Sequence, residues 1–196
     1  MTEENRIRCF IAADLPDAVR TELAALIASL KKHGTGFKWV ASQNLHLTLR
    51  FLGYLNEQKV GEVVALLKAL CSSAAPFQMS LAGLGAFPDL KHPHVVWVGV
   101  QKGREAIESL AAKLEACLLE RGFDQAENPF SARLTLGRIK AAKNSKEFIE
   151  ELSGVSYVSS HENLLEHLAF YRSILTAEGP RYELIEKIWL KGPAGV

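Results

Sequence analysis

Cysteine, long apolar runs and any excess of one charge are scarce in this chain of 196 residues, and each scarcity excludes something. The three cysteines, Cys9, Cys71 and Cys117, are odd in number, far apart and set among apolar residues. That pattern excludes a disulfide framework and a cysteine-rich zinc site, and leaves reduced thiols packed in a core. No stretch approaches the roughly 18 consecutive apolar residues of a membrane span. The opening Met1-Thr2-Glu3-Glu4-Asn5 lacks the basic and apolar regions of a signal peptide, so a cytoplasmic protein away from membranes is expected. Basic and acidic residues number 23 and 22, a net charge of +1. No global field therefore draws the chain onto long nucleic acid, and any such contact must be local. What the chain does have is apolar residue, 48% of the total. That suffices for one sizeable core or two small lobes sharing an interface, and a monomer is expected.

Hydrophobic periodicity orders the chain. Ile7 to Ala13 reads as a buried strand, and Leu15-Pro16-Asp17 opens a helix with Val19, Leu23, Leu26, Ile27 and Leu30 on one face, stopping near Gly34. Phe37 to Val40 and Leu45 to Leu52 read as strands. Asn56 caps a second helix, and Phe77 to Phe87 is again a strand. The order then recurs: strand Val95 to Val100, helix Arg104 to Arg121, strand Phe130 to Ile139, helix Ser145 to Leu152, strand Leu164 to Tyr171, with a last strand Tyr182 to Leu190. Corresponding elements lie about 87 residues apart, as one unit used twice would place them. The expectation is an α+β fold of two pseudo-symmetric lobes, each a mostly antiparallel sheet packed with helices, with the active cleft between them. The chain is expected to be a single domain, 1–196, with lobe-forming repeats of about 6–87 and 94–190 joined by the loop Pro88 to Pro93.

Two strands carry residues suited to chemistry. In Asn44-Leu45-His46-Leu47-Thr48-Leu49-Arg50 polar and apolar residues alternate, so His46 and Thr48 share a face above a leucine layer. An imidazole near its ordinary pKa of about 6.5 can move a proton, and a hydroxyl can donate to a phosphoryl oxygen. One His beside one Thr is common on strands. The second half, however, presents Arg133-Leu134-Thr135-Leu136 at the equivalent strand, and two such strands at a repeat interface point to one bipartite site.

Here the chain resembles a known family. His46-Leu47-Thr48-Leu49 is similar to the first His-x-Thr-x motif of the 2H phosphoesterases, within the longer run Trp39-Val40 to Gly53. Phe10-Ile11-Ala12 to Asp14-Leu15-Pro16, Gly83 to Pro88, Val95 to Val100, Tyr171-Arg172-Ser173 and Gly179-Pro180-Arg181-Tyr182 resemble further landmarks of that family across essentially the whole chain. The resemblance is to the bacterial and archaeal RNA 2′,3′-cyclic phosphodiesterases once named 2′-5′ RNA ligases. It implies hydrolysis of 2′,3′-cyclic phosphate ends to 2′-phosphomonoesters without metal or other cofactor, with RNA 3′ ends or small 2′,3′-cyclic nucleotides as partners. By that match His46 is the general acid, and Thr48 and Thr135 hold the phosphate.

The chain departs from the family pattern at the second motif, where Arg133 stands in place of histidine and Ala132 in place of the proline that often precedes it. A guanidinium with a pKa above about 12 is no general base at pH 7, though it can bind phosphate through its fork and stabilise developing charge. Weakened hydrolysis is therefore one expectation. A module that kept the phosphate cradle and lost turnover is a second, and RNA joining is a third, ranked last because no second RNA site is evident. Arg138 sits three residues beyond Thr135, on the opposite face unless the strand bulges or ends near Gly137, and the family has an arginine there. Arg50 shares the motif face by alternation and could line the cleft. Phe10, Trp39 and Trp97 offer rings that could stack on a base. His92 and His94 fall in the inter-repeat loop, where one could reach a cleft, but two histidines make no metal site and none is expected. His33, His161 and His167 are expected at the surface or at strand edges.

Overall fold

The computed structural model describes residues 6–32, 36–139, 146–177 and 179–193, so His33 and the helix stop at Gly34 lie outside the described residues. In chain order the elements are β1 (Ile7–Ala13), α1 (Asp17–Lys31), β2 (Phe37–Trp39), a 3-10 turn (Ser42–Asn44), β3 (Leu47–Leu55), α2 (Glu57–Ser72), β4 (Phe77–Met79) and β5 (Leu81–Phe87). β6 (Val95–Val100), α3 (Arg104–Glu120), β7 (Arg133–Ile139), α4 (Lys146–Gly154), β8 (Asn163–Leu165), β9 (His167–Thr176) and β10 (Gly179–Trp189) follow. The fold is α+β: two four-stranded antiparallel sheets, ordered β10-β9-β1-β3 and β2-β7-β6-β5, and a two-stranded β4-β8 pair. The Asn56 side chain accepts from the Lys59 amide at 2.8 Å and starts α2. Among the described residues no helix is long and apolar enough to cross a membrane.

The sheets do not follow the two halves of the sequence. The loop from Pro88 to His94 is short, so β5 and β6 can only fold back as an antiparallel pair, with Phe87 opposite Val95. This places β5 beside β6, and β9, its counterpart in the second half, takes the matching place beside β1. The boundary expected near residue 87 is therefore a hairpin inside one sheet, and each sheet draws strands from both repeats.

Helices cover one face of each sheet. α2 packs on β3, β9 and β10, and α3 touches β3, while Phe148 of α4 meets Phe37 and Trp39 of β2. One buried cluster runs through both sheets, including Ile11, Leu47 and Leu49 on one side and Val96, Val98, Leu134 and Leu136 on the other. Cys9 and Cys71 lie within it as free thiols, pushed up by burial to about 11, which keeps them protonated and unreactive. The opposite faces carry the polar residues of interest.

Candidate active site

The chain passes from one sheet to the other at His46. β2 belongs to one sheet and β3 to the other, with the 3-10 turn between them, and the Asn44 amide fastens that turn to the Pro180 carbonyl of β10 at 2.8 Å. Strands β3 and β7, which bear the two motifs, approach each other across the junction. Leu45, Leu47 and Leu49 are buried, and His46 and Thr48 are half-buried on the other side, as alternation requires.

The imidazole is held on several sides. Its Nδ1 lies 2.7 Å from the Asn44 carbonyl, and since a carbonyl only accepts, Nδ1 carries the hydrogen and Nε2 is left for a substrate. The Phe10 ring stacks on it at 4.9 Å, and the Tyr182 ring stands edge-on at 5.2 Å. Burial lowers the proton affinity of His46 below the ordinary histidine value; the Asn44 carbonyl and the Asp14 charge oppose that shift, and Arg20 adds to it. Asp14 accepts from the Tyr171 hydroxyl at 2.8 Å and lies 3.3 Å from His167 Nε2. Burial pushes the Asp14 carboxyl up, but those hydrogen bonds and the nearby His167 and Arg20 charges hold it below the ordinary value, so it stays ionised. Tyr171 in turn stacks on the far side of Phe10 at 5.3 Å.

β-Bulges decide which other residues face this site. In β3 the register runs Ala12 opposite Thr48, then Ile11 opposite Arg50, so Leu49 is an extra residue and Arg50 turns to the helix side. There its Nε meets Glu115 of α3 at 2.7 Å, and it also donates to the Phe51 and Asp124 carbonyls. Arg50 thus anchors the back of the strand and does not line the cleft, which corrects strict alternation. In β7 the register runs Thr135 opposite Trp97, then Gly137 opposite Val96, so Leu136 is extra and Arg138 returns to the face of Thr135. Arg138 and Arg8 both act on the Tyr182 hydroxyl, which burial raises and these two charges lower. Because the Tyr182 ring touches His46, that field links Arg138 of one sheet to the histidine of the other.

Two aromatic residues fall elsewhere than base stacking requires. Phe10 is 1% exposed, so it supports the imidazole and cannot receive a base. Trp39 packs on α4 and lies against Gly137, where an added Cβ would come within 2.7 Å of its ring. Trp97 does lie on the open face, flat over Gly85. The Arg133 guanidinium sits over it, 5.0 Å from the ring centroid, with Nε donating to Ser131 Oγ at 2.6 Å. Arg133 is exposed and, with Trp97, Arg104 and Ser131, borders a depression of about 420 Å³.

The remaining histidines separate. His92 lies 3.6 Å from Asp89 in an exposed turn, and His94 is exposed. His161 lies 3.2 Å from Glu22, and His167 is partly buried against Asp14 instead of at an edge. Among the described residues no three His, Cys, Asp or Glu side chains gather as a metal site requires. Asp14, Tyr171 and Tyr182 were recognisable in the sequence only as landmarks without a role.

Residues 13–97 match the family described as LigT like Phosphoesterase. A protein of Aquifex aeolicus named RNA 2′,3′-cyclic phosphodiesterase is 34% identical over 156 residues, 79% of this chain and 82% of the relative. One of the same name from Methanocaldococcus jannaschii is 30% identical over 181 residues, 92% of this chain and 99% of the relative. The crystal structure of TT0787 of Thermus thermophilus superposes with a TM-score of 0.82 at 30% identity, covering 96% of this chain and all of that one. Escherichia coli LigT complexed with 3′-AMP shares the fold, with a TM-score of 0.77 at 24% identity over 95% of this chain and 99% of that one.

Proposed function

Because this chain belongs to the LigT-like phosphoesterases, we propose that it opens 2′,3′-cyclic phosphates at RNA ends or on small nucleotides to 2′-phosphomonoesters, through a site built from His46, Thr48, Thr135 and two arginines. The observation that carries this reading is the fixed imidazole, with Nδ1 committed to Asn44 and Nε2 free on the face of Thr48.

In this reading the threonine hydroxyls donate to the phosphoryl oxygens, and Arg138 and Arg133 balance the charge that grows there in the transition state. Water bonds to phosphorus as the bond to the 3′ oxygen breaks. The Nε2 proton of His46 goes to that oxygen, leaving a 3′-hydroxyl, and the water's proton is lost to solvent. Burial keeps the free imidazole largely neutral near pH 7, and the bound phosphate anion raises its proton affinity and so loads the acid. Arg133 takes no proton from water at this pH, so the attack proceeds without a base. General acid or base help is worth about 10² to 10⁴ in rate, and slowed hydrolysis by that order follows.

The test is a pH series on a 2′,3′-cyclic dinucleotide with the product identified. The product should be the 2′-phosphate. kcat/KM should fall on one side only, as pH rises through a value below the ordinary histidine pKa of about 6.5, because the transition state carries a proton that the neutral imidazole of the free enzyme lacks and a guanidinium supplies no base. Asp14→Asn removes an opposing negative charge and should move that limb further to acid. A bell-shaped profile would reveal a second titrating base and remove the role given to Arg133. A second reading, a phosphate-binding module without turnover, is favoured by the same arginine, and binding of a 2′-phosphate product with no hydrolysis at any pH would select it.

A further inference from the structure

The two bulges in β3 together put two large side chains on the face of the site: the first, at Leu49, turns Phe51 to it, and the second, at Leu52, keeps Tyr54 there. After Phe10 opposite Phe51 the register passes to Cys9 opposite Gly53, so Leu52 is extra and Tyr54 pairs with Arg8. Cross-strand partners share a face. Phe10 stacks on His46, so Phe51 and, two pairs further, Tyr54 and Arg8 stand on the face of the imidazole. Leu52 and Leu55 turn to the other side, where they pack with the core. Phe51 is 53% and Tyr54 63% exposed. The Phe51 ring lies 5.8 Å from that of Phe10, so His46, Phe10 and Phe51 form one continuous series of rings. Behind it Arg50 donates to the Phe51 carbonyl and pairs with Glu115, which fixes the backbone beneath the exposed ring.

The charges beside these two rings are positive, while Asp14 stands at the opposite end of β1, held by Tyr171 and His167. Arg8 faces the same side as Tyr54, the charge of Arg138 on the other sheet acts on the Tyr182 hydroxyl, and Lys38 pairs with Arg138 in register. None of these three makes an ion pair among the described residues. Exposed rings beside cations, continuous with a phosphate site, match what single-stranded RNA presents: flat bases and a phosphate at every step. The whole chain carries only +1, so the complementarity is local to this wall.

We propose that Phe51 and Tyr54, flanked by Arg8, form a stacking shelf for unpaired nucleotides on the 5′ side of a cyclic-phosphate end, so that the preferred substrate is a single-stranded oligonucleotide and not a mononucleotide. The inference rests on the phosphodiesterase reading above for the placement of the terminal phosphate. Counted on β1, where Ala12, Phe10 and Arg8 face Thr48, Phe51 and Tyr54, and at about 3.3 Å per strand residue, Phe51 stands about 7 Å and Tyr54 about 13 Å along the strand from Thr48, room for the last nucleotides of a strand.

Binding tests this without turnover. Affinities are measured for a mononucleotide 2′-phosphate, for a single-stranded hexanucleotide ending in a 2′-phosphate, and for the same end held in a duplex. The native protein should bind the single-stranded hexamer at least tenfold more tightly than the mononucleotide, and the duplex should lose that advantage. Phe51→Ala with Tyr54→Ala should weaken the hexamer by about tenfold or more per base unstacked, leaving the mononucleotide unchanged. Tyr54→Phe should keep the native affinity, since the ring and not the hydroxyl carries the stacking. Arg8→Gln should reduce the salt dependence of hexamer binding by about one phosphate contact. All three side chains lie on the open face of the sheet, so the core is untouched. A double variant that binds the hexamer as the native protein does, or a native protein that binds hexamer and mononucleotide alike, overturns the shelf. Hydrolysis plays no part in this measurement, so a protein that binds the hexamer through these rings but opens no cyclic phosphate would retain the shelf and refute the enzymatic reading.

Discussion

Replacing His46 by alanine should lower turnover of a 2′,3′-cyclic dinucleotide by about 10²- to 10⁴-fold, the range for loss of a positioned proton donor. The expectation comes from the environment of the ring. Nδ1 is spent on Asn44, Phe10 and Tyr182 fix the plane, and Nε2 alone is left for a substrate oxygen. The hydroxyls and arginines proposed to hold the phosphate remain, so product affinity should change by much less than kcat. Truncation does uncover part of Phe10, and a His46→Gln variant, which keeps bulk without a transferable proton, should show the same loss. Equal rates for native protein and both variants would remove His46 from the chemistry.

Restoring histidine at the second motif should work in the opposite direction. Arg133 lies on the same strand face as Thr135, opposite Gly99 and beside Trp97, where a smaller imidazole meets no obstacle. Its present contacts, to Ser131 Oγ and over the Trp97 ring, are those of an exposed side chain. Arg133→His should therefore cost little stability and raise kcat by about a hundredfold or more as a base becomes available for the attacking water. The pH profile should change with it, from one limb to a bell, as a second titrating group enters. A rate that stays the same or falls would mean that the guanidinium contributes more through the phosphate than a base would, and that attack does not limit turnover.

Much of this arrangement was legible in the residues. Alternation from Leu45 to Leu49 placed His46 and Thr48 on one face, and the recurrence at about 87 residues paired β3 with β7 as matching strands. The bulges were harder to see, yet they left a trace: the core-facing leucines run 45, 47, 49 and then 52 and 55, so the spacing changes from two to three where Leu49 and Leu52 are inserted. That change reverses Arg50 and brings in Phe51. In β7 the same device at Leu136 returns Arg138 to the face of Thr135. Composition could not tell a supporting ring from a receiving one, because Phe10 and Phe51 differ only in what lies over them. The exchange of β5 and β9 between sheets was concealed because it depends on the short loop after Phe87, and sequence repeats carry no record of which strand pairs with which.

One phosphate has to be shared by two walls, and a crystal structure with a dinucleotide 2′-phosphate product tests that most directly. The terminal phosphate should lie within hydrogen-bond distance of His46 Nε2, Thr48 and Thr135 at once, with an arginine of β7 on its remaining oxygens. A phosphate bound to one wall only, or seated away from both threonines, would contradict the shared site and the roles derived from it.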